Sequence, residues 1–331
     1  MDTNELLQEL DNKIQKGELK KEDVISRLDL SSSIRSSSAI ETEKKTRHFS
    51  VTKLFYIIGA VIVLIGILIF TGQIWDDIGS FGRVFVTLGM GLIIAGIGSY
   101  LFVSKPDGGL GSVFHFIGGL LIPGGAMVAL YETGFEFDTM WPPTIIFAIL
   151  SGFYLLLTFV QKRQILTFFA IANVTTFIYL FVISMMIENP SNWIRMHEDE
   201  IFAYLTMIIG ISYLLLSWAF RQGWNSRLAS VLSFLGTAGF YGAAFSQVFD
   251  SVPWQLIFVV LIILGFYLSI AMKQYIILIL STIFLIVHIS YITSEYFADS
   301  FGWPISLIVL GFVFIGLGYM SFSIGKKYIS Q

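Results

Sequence analysis

The chain has 331 residues, of which 55% are hydrophobic, 16% aromatic and only 13% charged, whereas a soluble domain carries about 25% charge. That imbalance points to an all-α, polytopic transmembrane helical bundle. A net charge of −3 provides no basic field for nucleic acid, and the lack of cysteine excludes disulfides, thiolate nucleophiles and Cys-type zinc sites.

The first 53 residues differ in kind, holding ten Lys/Arg and ten Asp/Glu, half of all the basic residues. No apolar run followed by a small-residue cleavage site opens the chain, so no cleavable signal is expected. Leu6, Leu7, Leu10 and Ile14 recur at helical spacing, with Gly17 placed as a stop. Leu19, Val24, Ile25 and Leu28 form a second stripe. Residues 1–30 are therefore expected to form a small cytoplasmic helical hairpin, suited to docking a protein partner or to self-association. Its balanced charge disfavours a membrane-surface helix. Residues 31–53 read as a linker, rich in serine from Ser31 to Ile40 and then basic at Lys44, Lys45, Arg47 and Lys53. Basic residues before a first span are attracted to anionic lipid.

Residues 54–331 form the transmembrane domain. Ten apolar stretches follow in order: Leu54–Thr71, Arg83–Val103, Gly111–Tyr131, Pro142–Val160, Ile165–Ile187, Ile201–Phe220, Leu228–Phe249, Pro253–Met272, Tyr275–Ile292 and Trp303–Ile324. Each is long enough to cross a hydrocarbon core of about 30 Å. The connections sort by sign. One set carries Lys105, Lys162, Arg163, Arg221, Arg227, Lys273, Lys326 and Lys327, opposed only by Asp107. The other carries Arg83 and Arg195 against twelve acids, from Asp76 and Asp77 to Glu295 and Asp299. Because Lys and Arg stay inside, both termini are expected in the cytoplasm of a multi-pass cell (plasma) membrane protein. The acidic connections also hold Trp75, Trp141, Trp193, Trp254 and Trp303, an aromatic belt at the outer interface.

An internal repeat runs through the spans. Ser80-Phe81-Gly82, Gly91, Gly96 and Gly98 reappear as Ser300-Phe301-Gly302, Gly311, Gly316 and Gly318, and Gly210-Ile211-Ser212-Tyr213 is a fainter copy of Gly316-Leu317-Gly318-Tyr319. Ser112, Phe116, Gly118 and Gly124 of the third span match Ser230, Phe234, Gly236 and Gly242 of the seventh, 118 positions on. Gly152-Phe153-Tyr154-Leu155 of the fourth matches Gly265-Phe266-Tyr267-Leu268 of the eighth. Two hairpin types alternate, each running in, out and back, so the repeat is parallel about the membrane normal.

Leu10, Gly17, Glu22 and Leu28 in a helix–turn–helix head, then a Gly-rich first span ending Thr71-Gly72-Gln73-Ile74-Trp75-Asp76, resemble the prokaryotic predicted membrane proteins known as domain of unknown function 2157. The resemblance covers the head and first two spans. It implies an integral membrane protein with no assigned activity, and it carries no catalytic residue across.

No Asp, Glu, Lys or Arg lies deep in any span, so neither a proton-coupled pump nor a buried-carboxylate enzyme has its usual parts. His115 and His288 lie near span ends, and no pair has metal-site spacing. No nucleophile elbow occurs. No catalytic residue, metal ligand or cofactor is expected. Asn173 is the deepest strongly polar side chain, suited to hydrogen-bonding a neighbouring helix. The third span is interrupted by Gly118-Gly119 and by Pro123-Gly124-Gly125, and the seventh by Gly236, Gly239 and Gly242. Paired interruptions in two repeats mark either a midplane ligand site, with Asn173 beside it, or seams of close packing.

Three functional readings follow. The first is a non-enzymatic integral membrane protein with a docking or structural role. The second is a transporter or channel for a small neutral or lipid-like solute, built on broken third and seventh helices. The third is an enzyme, which would need acids such as Asp76 and Asp77, whose adjacency makes them diverge.

Overall fold

Lipid offers no partner for backbone amides, so an apolar run of twenty residues satisfies its own hydrogen bonds as helix. The computed structural model describes residues 51–104, 109–135, 139–189 and 191–297, with isolated positions on either side. The expected hairpin at 1–30, most of the linker and the tenth span lie outside the described residues. Two compact units divide the chain, Met1–Ile58 and Gly59–Gln331. In the first, beyond the start of the opening helix, a helical turn places the Lys16 amide 3.0 Å from the Asn12 carbonyl.

The helices are α1 (Val51–Ile74), α2 (Ser80–Ser104), α3 (Leu110–Glu132), α4 (Trp141–Gln161), α5 (Gln164–Glu188), α6 (Glu198–Ala219), α7 (Ser226–Ser246), α8 (Val252–Ala271) and α9 (Tyr275–Phe297). Among the described residues eight helices, α2 to α9, are long and apolar enough to cross a membrane. They fall on the second to ninth expected spans.

Local chemistry sets the ends. Pro142 and Pro143 open α4 and Pro253 opens α8, where the missing amide has no helical partner to lose. Glu198, Asp199 and Glu200 occupy the first turn of α6, facing its positive dipole end. At the opposite end α4 stops on Lys162 and α8 on Lys273, both left-handed with φ of 49° and 46°. Lys162 is itself the cap of α4, whereas Lys273 follows the α8 cap Met272, and each left-handed residue turns the chain back within a few residues.

Loop length does not decide which helices pair, since five residues join α7 to α8, whose backbones stay apart, and six join α6 to α7, which pack closely. α2 packs on α3, α4 on α5, α6 on α7 and α8 on α9. All four pairs are joined at the end bearing Lys162, Arg163, Arg221, Arg227 and Lys273, which we call the basic end. Two hairpin types do alternate, but each closes one helix later than the sequence pattern suggests.

Two cores result. Ala95, Phe102, Ile122, Leu150, Tyr154 and Phe169 form one within α2–α5. Met207, Tyr241, Ala244, Phe258 and Ile262 form the other within α6–α8, with Phe284 of α9 packed against it.

Candidate functional site

The glycines of the third and seventh spans are explained by close approach. A Cβ on Gly118 would lie 3.0 Å from the Gly91 carbonyl and 3.1 Å from the Ala95 amide. A Cβ on Gly236 would lie 2.7 Å from the Gly210 carbonyl and 3.1 Å from the Leu214 amide. The two seams are one construction used twice. They align Gly210 with Gly91, five positions from the alignment that its likeness to Gly316 implies.

Both helices are continuous, which corrects the expectation of breaks. Pro123 lies inside α3 without ending it, and α7 runs unbroken to a 3-10 turn at Gln247–Phe249. A proline removes one amide donor, and packing on both sides holds the rest of the helix in place. The irregular backbone is instead in α2, where Phe85–Gly89 is a π-helical turn. Gly125 packs against the Leu88 backbone in that turn, leaving no room for a Cβ.

The seven residues singled out as a midplane site take separate places. Gly125 faces α2 and Gly236 faces α6, while a Cβ on Gly124 or Gly242 would meet nothing within 4 Å. Gly239 approaches only Thr206, at 3.9 Å. Pro123 is half-buried in α3. Asn173 is buried, but its amide donates to its own helix, to the Phe169 carbonyl at 2.7 Å. Its Oδ1 has no partner among the described residues.

Hydroxyls, which the sequence reading passed over, join the helices. Thr175 and Tyr213 are 2.6 Å apart and Tyr179 and Thr206 2.7 Å apart, linking α5 to α6. Thr167 donates to Asn225 at 3.2 Å, linking α5 to the start of α7. Near the basic end of α2–α3, Gln161 donates to Ser99, whose Oγ lies 3.0 Å from His115 Nε2. The His115 ring also stacks on Phe102. In α6–α7 the same latch is Ser217 with Ser233, 2.6 Å apart, Ser217 donating to the Ala229 carbonyl. His115 and Ser233 are 118 positions apart, so the repeat offset was the available signal. At the acidic end Arg83 pairs with Glu132 at 3.0 Å, donates to the Trp75 carbonyl and lies over the Trp75 ring. That pairing accounts for a basic residue on the acidic face.

The concave features lie elsewhere. A cleft of about 500 Å³ opens between α6, α7 and α8. It is lined by Ile211, Leu214 and Trp218 of α6, Thr237 and Tyr241 of α7, and Leu261 to Ala271 of α8. Tyr241 enters from the side, its hydroxyl 3.0 Å from Ser281 and occupying the space that a Cβ on Gly265 would need. Thr237 is 2% exposed and its hydroxyl has no partner among the described residues. At the basic end a polar pocket lined by Trp218, Ala219, Arg221 and Gln222 shares Trp218 with this cleft. The corresponding cleft between α2, α3 and α4 is about 260 Å³ and apolar throughout. A further groove of about 530 Å³ runs between α4, α5 and α6. None of the seven midplane residues lines any of the four.

Three of these hollows are apolar and one is polar, all set in apolar helices. The family model described as "Predicted membrane protein (DUF2157)" matches residues 18–167. The match to DUF2157 extends the resemblance beyond the first two spans, through α4 to the start of α5. It takes in the first glycine seam but not its copy in α6–α7. No curated protein and no solved structure matches the chain. The protein is therefore a membrane protein with several apolar, membrane-capable helices.

Proposed function

We propose that the chain is a non-enzymatic multi-pass protein of the cell membrane. Both termini are cytoplasmic, the helical bundle is the anchor, and residues 1–30 serve docking or self-association. The observation that carries this reading is where the charge sits. Among the described residues of Gly59–Gln331, every Asp, Glu, Lys and Arg lies in a loop or within about a turn of a helix end, so beside His115 and His288 the helix interiors hold only neutral polar side chains for chemistry. The basic ends then face the cytoplasm.

The cysteine-free chain makes a direct test available. Single cysteines at Asn12, Thr133 and Gln222 would be probed in intact cells with a membrane-impermeant maleimide. Labelling is expected at Thr133→Cys alone, with Asn12→Cys and Gln222→Cys reacting only after permeabilisation. The opposite pattern would remove the head from the cytoplasm and with it the docking role. A second reading, binding of a lipid-like solute, is favoured by the clefts beside α6 and not by any break in α3 or α7.

A further inference from the structure

Resting on that second reading, we propose that the cleft between α6, α7 and α8 holds one acyl chain of an anionic phospholipid. Its headgroup lies against Arg221 in the leaflet at the basic end.

The length of the cleft fits one leaflet. Along α8 its lining runs from Met272, at the helix end, to Leu261. At 1.5 Å per residue that is about 16 Å, close to half of a hydrocarbon core of about 30 Å. The walls are Leu, Ile, Phe and Tyr side chains, and the floor reaches buried Tyr241, Met272 and Ile277. A shallow furrow between two lipid-facing helices would not reach them. α7 packs on α9, and the space left between α7 and α8 is the cleft.

The mouth supplies the sign. Trp218 belongs to both the apolar cleft and the polar pocket, so a chain in one continues into a headgroup in the other. Arg221 and Gln222 line that pocket, and Lys273 directly follows Met272. Among the described residues no acid lies at this end. A phosphodiester there meets the Arg221 guanidinium and the Gln222 amide, with Lys273 one residue past the cleft lining, and a headgroup with its own ammonium meets repulsion as well. The smaller α2–α4 cleft has no charged residue in its lining and takes no part. At the deep end a hydrocarbon tail asks nothing of the Thr237 hydroxyl, which fits its lack of a partner.

The test is native mass spectrometry of the full chain in detergent with equal amounts of palmitoyl-oleoyl phosphatidylglycerol and phosphatidylcholine. One phosphatidylglycerol is expected to be retained in preference. Arg221→Gln and Lys273→Gln should each reduce that preference about fivefold. Ala271→Phe, at an exposed position in the cleft wall, should abolish retention of both lipids. Ser246→Ala, at an exposed position outside the cleft lining, should change nothing. Equal retention of the two lipids by the unaltered chain overturns the proposal, as does undiminished preference in the Arg221/Lys273 double variant. Loss of binding in Thr237→Val overturns it in favour of a ligand with a polar group at mid-depth. Unfolding midpoints of all variants within a degree of the parent confirm that binding and not folding is read. The maleimide experiment and this one fail separately, since lipid preference in detergent does not depend on which side the termini occupy.

Discussion

At the scale of single residues, glycine has two meanings here, and they predict opposite signs. Gly236 sits where a Cβ would press on the Gly210 carbonyl at 2.7 Å, backbone that belongs to another helix and cannot swing aside. Gly242, six residues on, faces open space. Gly236→Ala is therefore expected to lower stability by about 1–3 kcal/mol, the usual range for overfilling a packed interior. Gly242→Ala should raise it by up to about 1 kcal/mol, since alanine is the better helix former and meets no clash. Unfolding of each variant by sodium dodecyl sulfate in mixed micelles measures both. If Gly236→Ala is neutral, the seam between α6 and α7 is not as tight as its geometry requires. The sequence makes these glycines conspicuous without saying which face each occupies, because an apolar alphabet rich in glycine has no polar stripe to mark the inward side. Asn173 misled for a related reason: depth was legible, but a side chain that bonds its own helix looks the same in sequence as one that reaches across.

At the scale of elements, charge made the ends legible, while loop length did not set the pairing. The second to ninth expected spans fall on α2 to α9 because each is bounded by Asp, Glu, Lys or Arg that lipid will not admit. The hairpin boundaries were less legible, since repeated sequence fixes a period and not where the unit begins. Lys162 and Lys273 are the residues that settle it, and they carry a prediction. A lysine held at φ of 49° or 46° has its Cβ against the following carbonyl, a strain of about 1 kcal/mol that glycine lacks. Lys162→Gly and Lys273→Gly should each raise the unfolding midpoint, and Lys162→Val should lower it. A drop in the glycine variants would mean that the lysine side chain contributes more than the strain removes. The hydroxyl links between hairpins predict a smaller effect. A double-mutant cycle with Thr175→Val and Tyr213→Phe should return a coupling of about 0.6–1 kcal/mol, the common range for such bonds in membranes. A coupling indistinguishable from zero would show that the 2.6 Å pair adds nothing to the α5–α6 contact.

For the whole molecule, the duplicated construction gives two cores and unequal seams. Within each half, α2–α3 and α6–α7 meet backbone to backbone at glycine, where dispersion contacts are densest and no groove remains. Between the halves, α5 meets α6 through Thr175–Tyr213 and Tyr179–Thr206 and the start of α7 through Thr167–Asn225, with the groove of about 530 Å³ left open alongside. The boundary between halves should therefore part first. Two chains would carry a site-specific protease sequence, one after Ser191 between α5 and α6, the other after Gln222 between α6 and α7. Each would be cut after purification and titrated with sodium dodecyl sulfate. Fragments from the cut at Ser191 are expected to separate at lower detergent than those from the cut at Gln222, because only the latter are held by a glycine seam. The reverse order would make the α5–α6 contact the stronger one and the two cores a single folding body. The expected order would instead leave α6 as a helix anchored along one face by α7 and flanked by clefts on either side of that face, which is where a lipid of the leaflet at the basic end would be taken up.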